Sequence, residues 1–349
     1  MPDSASNADL SRYVRQMRYP PLGEAGQQRL SQSRALICGC GALGSVLANT
    51  LARAGVGHLR IVDRDFLELN NLQRQVLYDE DDVAAGIPKA VAAEAKLKKI
   101  NSQITIEAIV ADVDHRNIAE LADGCGVLLD GTDNFETRFL LNDAAVRLGI
   151  PWVYGGCIGD DGQTMTILPG ETPCLHCLMQ DGPPPPGTTE TCDSAGILSP
   201  IINVIASLEA NEAIKILSGN RAATSRVLCV FELWENRIRQ IKLDNLATVD
   251  CPTCKRREFP WLEGRRGSHT AVLCGRNAVQ LSFPDRERLD LASLEKKLAG
   301  VGRVTRNRFL LRLEVDDYTA TVFPDGRAII GGTEEIAEAR TVYAKYIGN

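Results

Sequence analysis

The stretch Ala35-Leu36-Ile37-Cys38-Gly39-Cys40-Gly41-Ala42-Leu43-Gly44 decides the reading of this chain. A short apolar run, Ala35 to Cys38, stops at glycine, as a buried strand does when the chain must turn sharply. Residues 42–54 then carry apolar side chains at helical spacing. Gly39, Gly41 and Gly44 form a GxGxxG between that strand and that helix. Glycines permit the tight turn and let the backbone approach a phosphate, while the helix N-terminus supplies unpaired N–H groups and partial positive charge. Asp63 follows at the end of the next apolar run, His58 to Val62, where an acid can bind ribose hydroxyls. These residues point to an adenosine nucleotide and do not separate NAD from ATP.

Working outward, strand and helix patterns alternate. Pro88 to Ile100 reads as a helix with Pro88 in its first turn. Ile104 to Val110 and Val127 to Asp130 read as strands, Phe135 to Leu148 as a helix, and Trp152 to Tyr154 as a fifth strand. This order predicts an α/β fold, a Rossmann-like, mostly parallel sheet with helices on both faces. Residues 1–33 are polar and read as a partly helical lead-in. Past Gly155 the rhythm changes: a strand at Thr164 to Leu168, a loop with Pro183 to Pro186, a buried helix over Ile201 to Leu217, and a hairpin around Glu235-Asn236. We read 34–264 as the nucleotide-binding domain. Residues 265–349 read as a small α+β domain of unassigned role, with a helix at Leu291 to Leu298, strands at Phe309 to Val315, Tyr318 to Phe323 and Ala328 to Ile330, and a final helix.

Composition sets limits. The 349 residues are 44% hydrophobic and 24% charged, with a formal net charge of -6 and no long basic run. That balance disfavours nonspecific nucleic-acid binding and suits a protein partner better. No apolar run approaches the ~18 residues of a membrane span, and the first ten residues lack a signal-peptide core, so the expected address is cytoplasmic. There are 11 cysteines. In a reducing compartment, Cys174-Leu175-His176-Cys177 and Cys251-Pro252-Thr253-Cys254 read as two metal knuckles rather than disulfides. Four thiolates from two CxxC pairs make a closed structural Zn²⁺ site, with His176 a spacer. A redox CxxC is the competing reading.

The charged residues after the turn favour ATP. Asp65, the run Asn70-Asn71-Leu72-Gln73-Arg74-Gln75, Lys89 and Asp130-Gly131-Thr132-Asp133-Asn134 surround the place where open α/β sheets bind ligands. Arg74 and Lys89 offer fixed positive charge to a triphosphate. Asp133 offers a carboxylate oxygen, which suits Mg²⁺.

Together with Arg12-Tyr13-Val14-Arg15-Gln16 near the N-terminus and Arg138 after Asn134, this ordered set resembles the MoeB/ThiF/HesA family over about residues 10–260. That family shares its adenylation domain with ubiquitin-activating E1 enzymes. The resemblance implies an adenylyltransferase that uses ATP and Mg²⁺ to activate the C-terminal Gly-Gly carboxylate of a ubiquitin-like sulfur-carrier protein. The acyl-adenylate would then take sulfur from a donor such as a cysteine desulfurase or rhodanese, for molybdopterin, thiamine or a related pathway. By the same resemblance Gly41 lies against the phosphates and Asp63 binds the ribose. Asn71 and Arg74 contact the phosphates, with Gln73, Asp65 and Asn134 in the same motifs. Lys89 sits at the transferring phosphate, Asp133 holds Mg²⁺, and Arg15 reaches into the partner's site of a homodimer.

Cys192 occupies the family position of a candidate thioester, persulfide or acyl-disulfide nucleophile; an inert cysteine in a covering loop is the other reading. Cys38, Cys40, Cys125, Cys157 and Cys229 read as packing residues. Residues 272–276 faintly resemble a rhodanese loop around Cys274, but too little chain surrounds them to build that domain. Three other functions remain open from the residues: an NAD-dependent dehydrogenase on the same glycine turn, a noncatalytic carrier-binding adaptor, and a tRNA-modifying dehydratase of the same superfamily.

Overall fold

Five parallel strands carry the glycine turn in the computed structural model, which describes residues 10–184, 195–266, 270–273, 277–283 and 289–348. They are β1 (Arg34–Cys38), β2 (His58–Val62), β3 (Thr105–Ile109), β4 (Val127–Asp130) and β5 (Trp152–Ile158). Three antiparallel strands extend the sheet: β6 (Asp161–Ile167), β7 (Val227–Glu232) and β8 (Arg237–Lys242). The order is β3-β2-β1-β4-β5-β6-β7-β8. The chain crosses from β3 to β4 on the far side of β1, so β1 and β4 flank the switch point where such sheets open a crevice at their carboxyl ends.

Strand residues alternate between two cores, as a period of two requires. Ala35 and Ile37 of β1 pack with Val127 and Leu129 of β4 on the face covered by the helices Ala42–Ala54, Lys89–Ile100 and Ser199–Leu217. Leu36, Cys38 and Leu128 pack on the other face with Phe139, Leu141 and Ala144 of the helix Phe135–Leu148. Each fully buried Leu or Ile contributes roughly 1.5–3 kcal/mol relative to exposure. Helices therefore cover both faces, as the alternating pattern predicts.

Some boundaries differ from expectation. Pro88 lies outside the helix that starts at Lys89, with extended φ -60° and ψ 145°, and it bridges Phe66. β5 runs on through Gly155 to Ile158 because it gains β6 as an antiparallel neighbour, an effect local apolarity does not register. The hairpin turn at Asn236 takes a left-handed φ of 54°.

The N-terminal lead-in is fastened to the nucleotide-binding fold. Gln16 Nε2 donates to Ala54 O at 2.9 Å, and Asn101 Nδ2 donates to the buried Tyr13 hydroxyl at 2.7 Å. The Tyr13 ring fills the space beside Gly55, which ends the Ala42–Ala54 helix at φ 83°.

A second unit begins at Gly267. Its six strands are β9 (Thr270–Leu273), β10 (Ala278–Leu281), β11 (Arg303–Arg306), β12 (Leu311–Val315), β13 (Tyr318–Val322) and β14 (Ala328–Gly331). They form one antiparallel sheet in the order β11-β12-β13-β14-β10-β9. The helices Leu291–Leu298 and Ile336–Tyr346 complete its own core with Leu294, Leu298, Leu313, Ile330 and Tyr343. β11 escapes the sequence reading because its charged residues Arg303 and Arg306 mask its pairing.

Candidate functional site: a glycine crevice and a four-cysteine cluster

The glycine turn owes its shape to close backbone crossings. Gly39 has φ 85°, and a Cβ there would lie 2.5 Å from Gly131 O; one on Gly44 would lie 1.9 Å from Gly39 O. Both glycines are required by packing alone. Gly41 is different: a Cβ there would meet nothing nearer than Gln75 Nε2 at 3.8 Å. Space is thus left open at the N-terminus of the Ala42–Ala54 helix, where backbone N–H groups await an acceptor. The buried Gln75 borders this space, and its Oε1 has no hydrogen-bond partner among the described residues. An open cradle at a helix N-terminus, bordered by the Gln75 Nε2 donor, fits a phosphate-bearing ligand.

Asp63 closes the turn from β2. Its Oδ2 accepts from Cys40 N and its Oδ1 from Asp65 N, both at 2.6 Å. Burial raises its pKa, opposed first by the charge of Lys89. Lys89 is buried, with Nζ 3.3 Å from Asp65 Oδ2 and its own N–H bonded to Asp65 O at 2.9 Å. A buried ammonium beside the glycine turn is the clearest electrostatic feature of the crevice, because a lone buried cation is costly and here has carboxylates about it. The Tyr78 hydroxyl ties the two segments by donating to Cys40 O at 2.8 Å and Lys89 O at 3.2 Å.

The NNLQRQ run splits by exposure. Asn71 is buried and closes a capping box with Glu68 around the short helix Leu69–Asn71. Arg74 is half-buried, with Nη1 bonded to Asn70 O at 2.9 Å, and Gln73 is exposed. At the carboxyl end of β4, Asp133 and Asn134 are exposed; Asn134 caps the Phe135–Leu148 helix by accepting from Thr137 N at 2.8 Å. Arg15 is exposed and has no hydrogen bond or ion pair with any described residue. Cys192 and Cys274 lie outside the described residues. Burial pushes the Cys40 thiol up to about 12 and Cys125 to about 11, and raises Cys38 further, so these three stay thiols in the packing role expected of them.

Three participants escape the sequence reading. Tyr78, Gln75 and the buried pair Asp130–Arg138 shape the crevice, yet Tyr78 lies outside the quoted motifs and the others look like ordinary residues within them. The available signal was a polar residue at a position whose neighbours pack inward, as with Arg138 before the buried Phe139 and Leu140.

The second cluster is assembled from two distant segments. Cys174 is the N-cap of the one-turn helix Leu175–Leu178 and Cys177 lies within it, while Cys251 and Cys254 lie in a tight turn. The Sγ atoms of Cys174 and Cys177 are 3.8 Å apart, of Cys174 and Cys251 3.6 Å, and of Cys177 and Cys254 3.4 Å. All four lie within 4.8 Å of one another. Sulfurs ~2.3 Å from a tetrahedral zinc ion would be about 3.8 Å apart, so the four thiolates fit zinc with no position left open. His176 stays out of the set: Nδ1 lies 3.0 Å from Thr253 Oγ1, which donates to Asp143 at 3.2 Å. Leu175 N donates to Asn142 at 2.8 Å, tying the first knuckle to the Phe135–Leu148 helix.

Comparison with known proteins gives the family and the fold. The ThiF family model matches residues 13–253. The chain is 45% identical over 338 residues to the sulfur carrier protein ThiS adenylyltransferase of Bacillus subtilis, covering 97% of this chain and 99% of that protein. It is 36% identical over 251 residues to the SAMP-activating enzyme E1 of Haloferax volcanii, covering 72% of this chain and 91% of that one. Among solved structures, Escherichia coli MccB with ATP shares the fold, with a TM-score of 0.58 and 24% identity over 66% of this chain and 71% of MccB. The Bacillus match is too long to end within the nucleotide-binding unit and therefore includes most of the second unit.

Proposed function

The chain belongs to the ThiF family, and from that premise we propose that it adenylylates the C-terminal carboxylate of a ubiquitin-like sulfur-carrier protein with ATP. The observation that carries the reading is the open cradle at Gly41 with the buried Lys89 ammonium beside the same turn. A carboxylate oxygen of the carrier attacks the α-phosphorus, the bond to the β-phosphate bridging oxygen breaks, and pyrophosphate leaves with the electron pair. No side-chain nucleophile is required. The enzyme's work is to hold both reactants in line and to offset the negative charge that builds up.

The chain's own residues take these roles. Backbone N–H groups of the Gly39, Gly41 and Gly44 turn hold phosphate oxygens. Asp63 and Asp65 mark the ribose side. Asn71, Gln73 and Arg74 serve the phosphates, and Lys89 offsets charge at the α-phosphate of the transferred adenylyl group. Asp133, with Asn134 next to it, would offer an oxygen ligand to Mg²⁺, which would supply positive charge to offset that of the phosphates. Arg15, exposed and without a side-chain partner among the described residues, would serve the neighbouring site in a homodimer. The four cysteines would hold zinc as a structural tie. Among the described residues no helix is long and apolar enough to cross a membrane. The acyl-adenylate then passes to a sulfur donor, with Cys192 the candidate for a covalent step.

ATP–pyrophosphate exchange tests the reading, measured with and without small proteins ending in Gly-Gly. Exchange should depend on one such carrier and be lost in Asp133→Asn while the protein stays folded. Carrier-independent nicotinamide reduction, or full exchange in Asp133→Asn, would overturn the corresponding assignment.

A further inference from the structure

Within the nucleotide-binding unit, the buried cation Arg138 lies outside the residues assigned to the nucleotide. Arg138, in the first turn of the Phe135–Leu148 helix, is 7% exposed. Its Nε donates to Asp130 Oδ2 at 3.1 Å, and its Nη2 donates to Thr132 O at 2.8 Å and Gly155 O at 3.1 Å. The rings of Phe135 and Tyr154 flank it, each centred 5.4 Å away. The other Asp130 oxygen accepts from Thr132 N at 2.9 Å and Thr132 Oγ1 at 2.7 Å. Burial works against the Arg138 cation, but Asp130, Tyr154 and Asp133 together outweigh it, so the guanidinium stays charged.

These bonds close a ring around residues 130–132, and the next residue is Asp133. Gly131 inside the ring is pressed against the phosphate turn, since a Cβ there would lie 2.3 Å from Gly39 O. That packing holds Gly131 in place, so slack in the ring is passed onward to the Asp133 loop rather than back to the glycine turn. Stability alone does not account for such a pair. A buried ion pair is often no better than apolar side chains of the same volume, because desolvating two charges offsets their attraction. What apolar side chains lack is direction. The planar guanidinium fixes the carbonyl of Thr132 and thereby the course of the chain into Asp133. A lysine, with one compact charge, cannot hold three acceptors contributed by Asp130, Thr132 and Gly155 in that arrangement.

We infer that Arg138 is a positioning residue for the cation that accompanies the nucleotide: through Asp130 and Thr132 it holds the 131–134 loop so that Asp133 is presented to the crevice. The inference rests on the reading of Asp133 as a Mg²⁺ ligand. It assigns Arg138 no contact with ATP.

The test uses the full chain, ATP and MgCl₂, and needs no carrier protein. ATP binding is measured by calorimetry across a MgCl₂ titration for the parent, Arg138→Lys and Asp133→Asn, with thermal melting alongside. Arg138→Lys should raise the half-saturating MgCl₂ roughly tenfold, the effect of losing one charge-assisted hydrogen bond. Its ATP affinity without Mg²⁺ should match the parent's. A purely structural role would lower the melting temperature and leave the Mg²⁺ midpoint in place, which overturns the inference. If Arg138→Lys does not fold, Thr132→Val removes only the hydroxyl bond to Asp130 and should shift the midpoint in the same direction. A parental midpoint in Asp133→Asn would overturn the Asp133 assignment and the inference with it. A shifted midpoint there, beside a parental one in Arg138→Lys, would remove the positioning role alone.

Discussion

The backbone N–H of Cys40 donates to the Asp63 carboxylate across 2.6 Å, so the acid at the end of β2 is fastened to the turn at the end of β1. The same carboxylate takes the N–H of Asp65, whose side chain meets Lys89. One side chain thus sets the turn, the acid pair and the buried ammonium relative to one another. Asp63 is a structural pin for the crevice as well as a candidate ribose ligand.

Removing that pin should damage binding and stability together. Asp63→Ala leaves the buried Cys40 N–H without its acceptor, at a cost of about 1–3 kcal/mol. Asp63→Asn keeps one acceptor and should fold better but bind ATP more weakly than the parent. Melting curves and ATP calorimetry on both variants read the two effects. Parental stability in Asp63→Ala would show that the bond contributes nothing.

The glycines of the turn should separate into two kinds. A Cβ on Gly44 would strike Gly39 O at 1.9 Å, so Gly44→Ala should destabilise the fold by ~3 kcal/mol or more. A Cβ on Gly41 enters open space, so Gly41→Ala should melt near the parent yet bind ATP poorly, because the methyl occupies the phosphate cradle. Equal melting of the two variants would refute this division.

The sulfur cluster should hold zinc tightly. Metal analysis should give one zinc per chain, and a strong chelator should lower the melting temperature, with recovery on zinc addition. Cys177→Ser should reduce zinc content, since one of four ligands is lost. A metal-free protein of parental stability would rule out a structural site.

Glu209 should impose a pH dependence on stability. Its carboxyl is wholly buried against Gly155, with no hydrogen-bond partner among the described residues and with Asp130 and Arg138 as the charged groups around it. Burial raises its pKa well above the ordinary carboxylate value. The folded state therefore holds a proton that the unfolded state releases at about pH 4.3, and stability falls as pH rises from there toward the folded pKa. Glu209→Gln removes this slope, so its melting temperature relative to the parent should climb with pH through the neutral range. A difference that stays constant from acid to neutral pH would argue that Glu209 does not titrate in this way.

Much of the fold is legible from local pattern. The strand–glycine–helix run at Ala35 to Ala54, the continuous apolar runs of β1 and β4, and the helix from Phe135 follow from local pattern, which acts over a few residues. β11 and the continuation of β5 depend on the strand beside them, and a neighbour in space leaves no local trace.

The sequence by itself determined which residue types are candidates for the chemistry: a glycine turn of the phosphate-binding pattern, an ordered set of charges, and two cysteine pairs at knuckle spacing. Motif spacing carries that information because each motif acts through its own backbone geometry. Only the tertiary structure decided how the pieces meet. It brought the sulfurs of Cys174 and Cys251 to 3.6 Å, set the Gly131 backbone against Gly39, and buried Arg138 between Asp130, Thr132 and Gly155. These contacts join segments far apart in the chain. They arise from packing and from the need of buried polar groups for partners, neither of which is written in any single stretch of sequence.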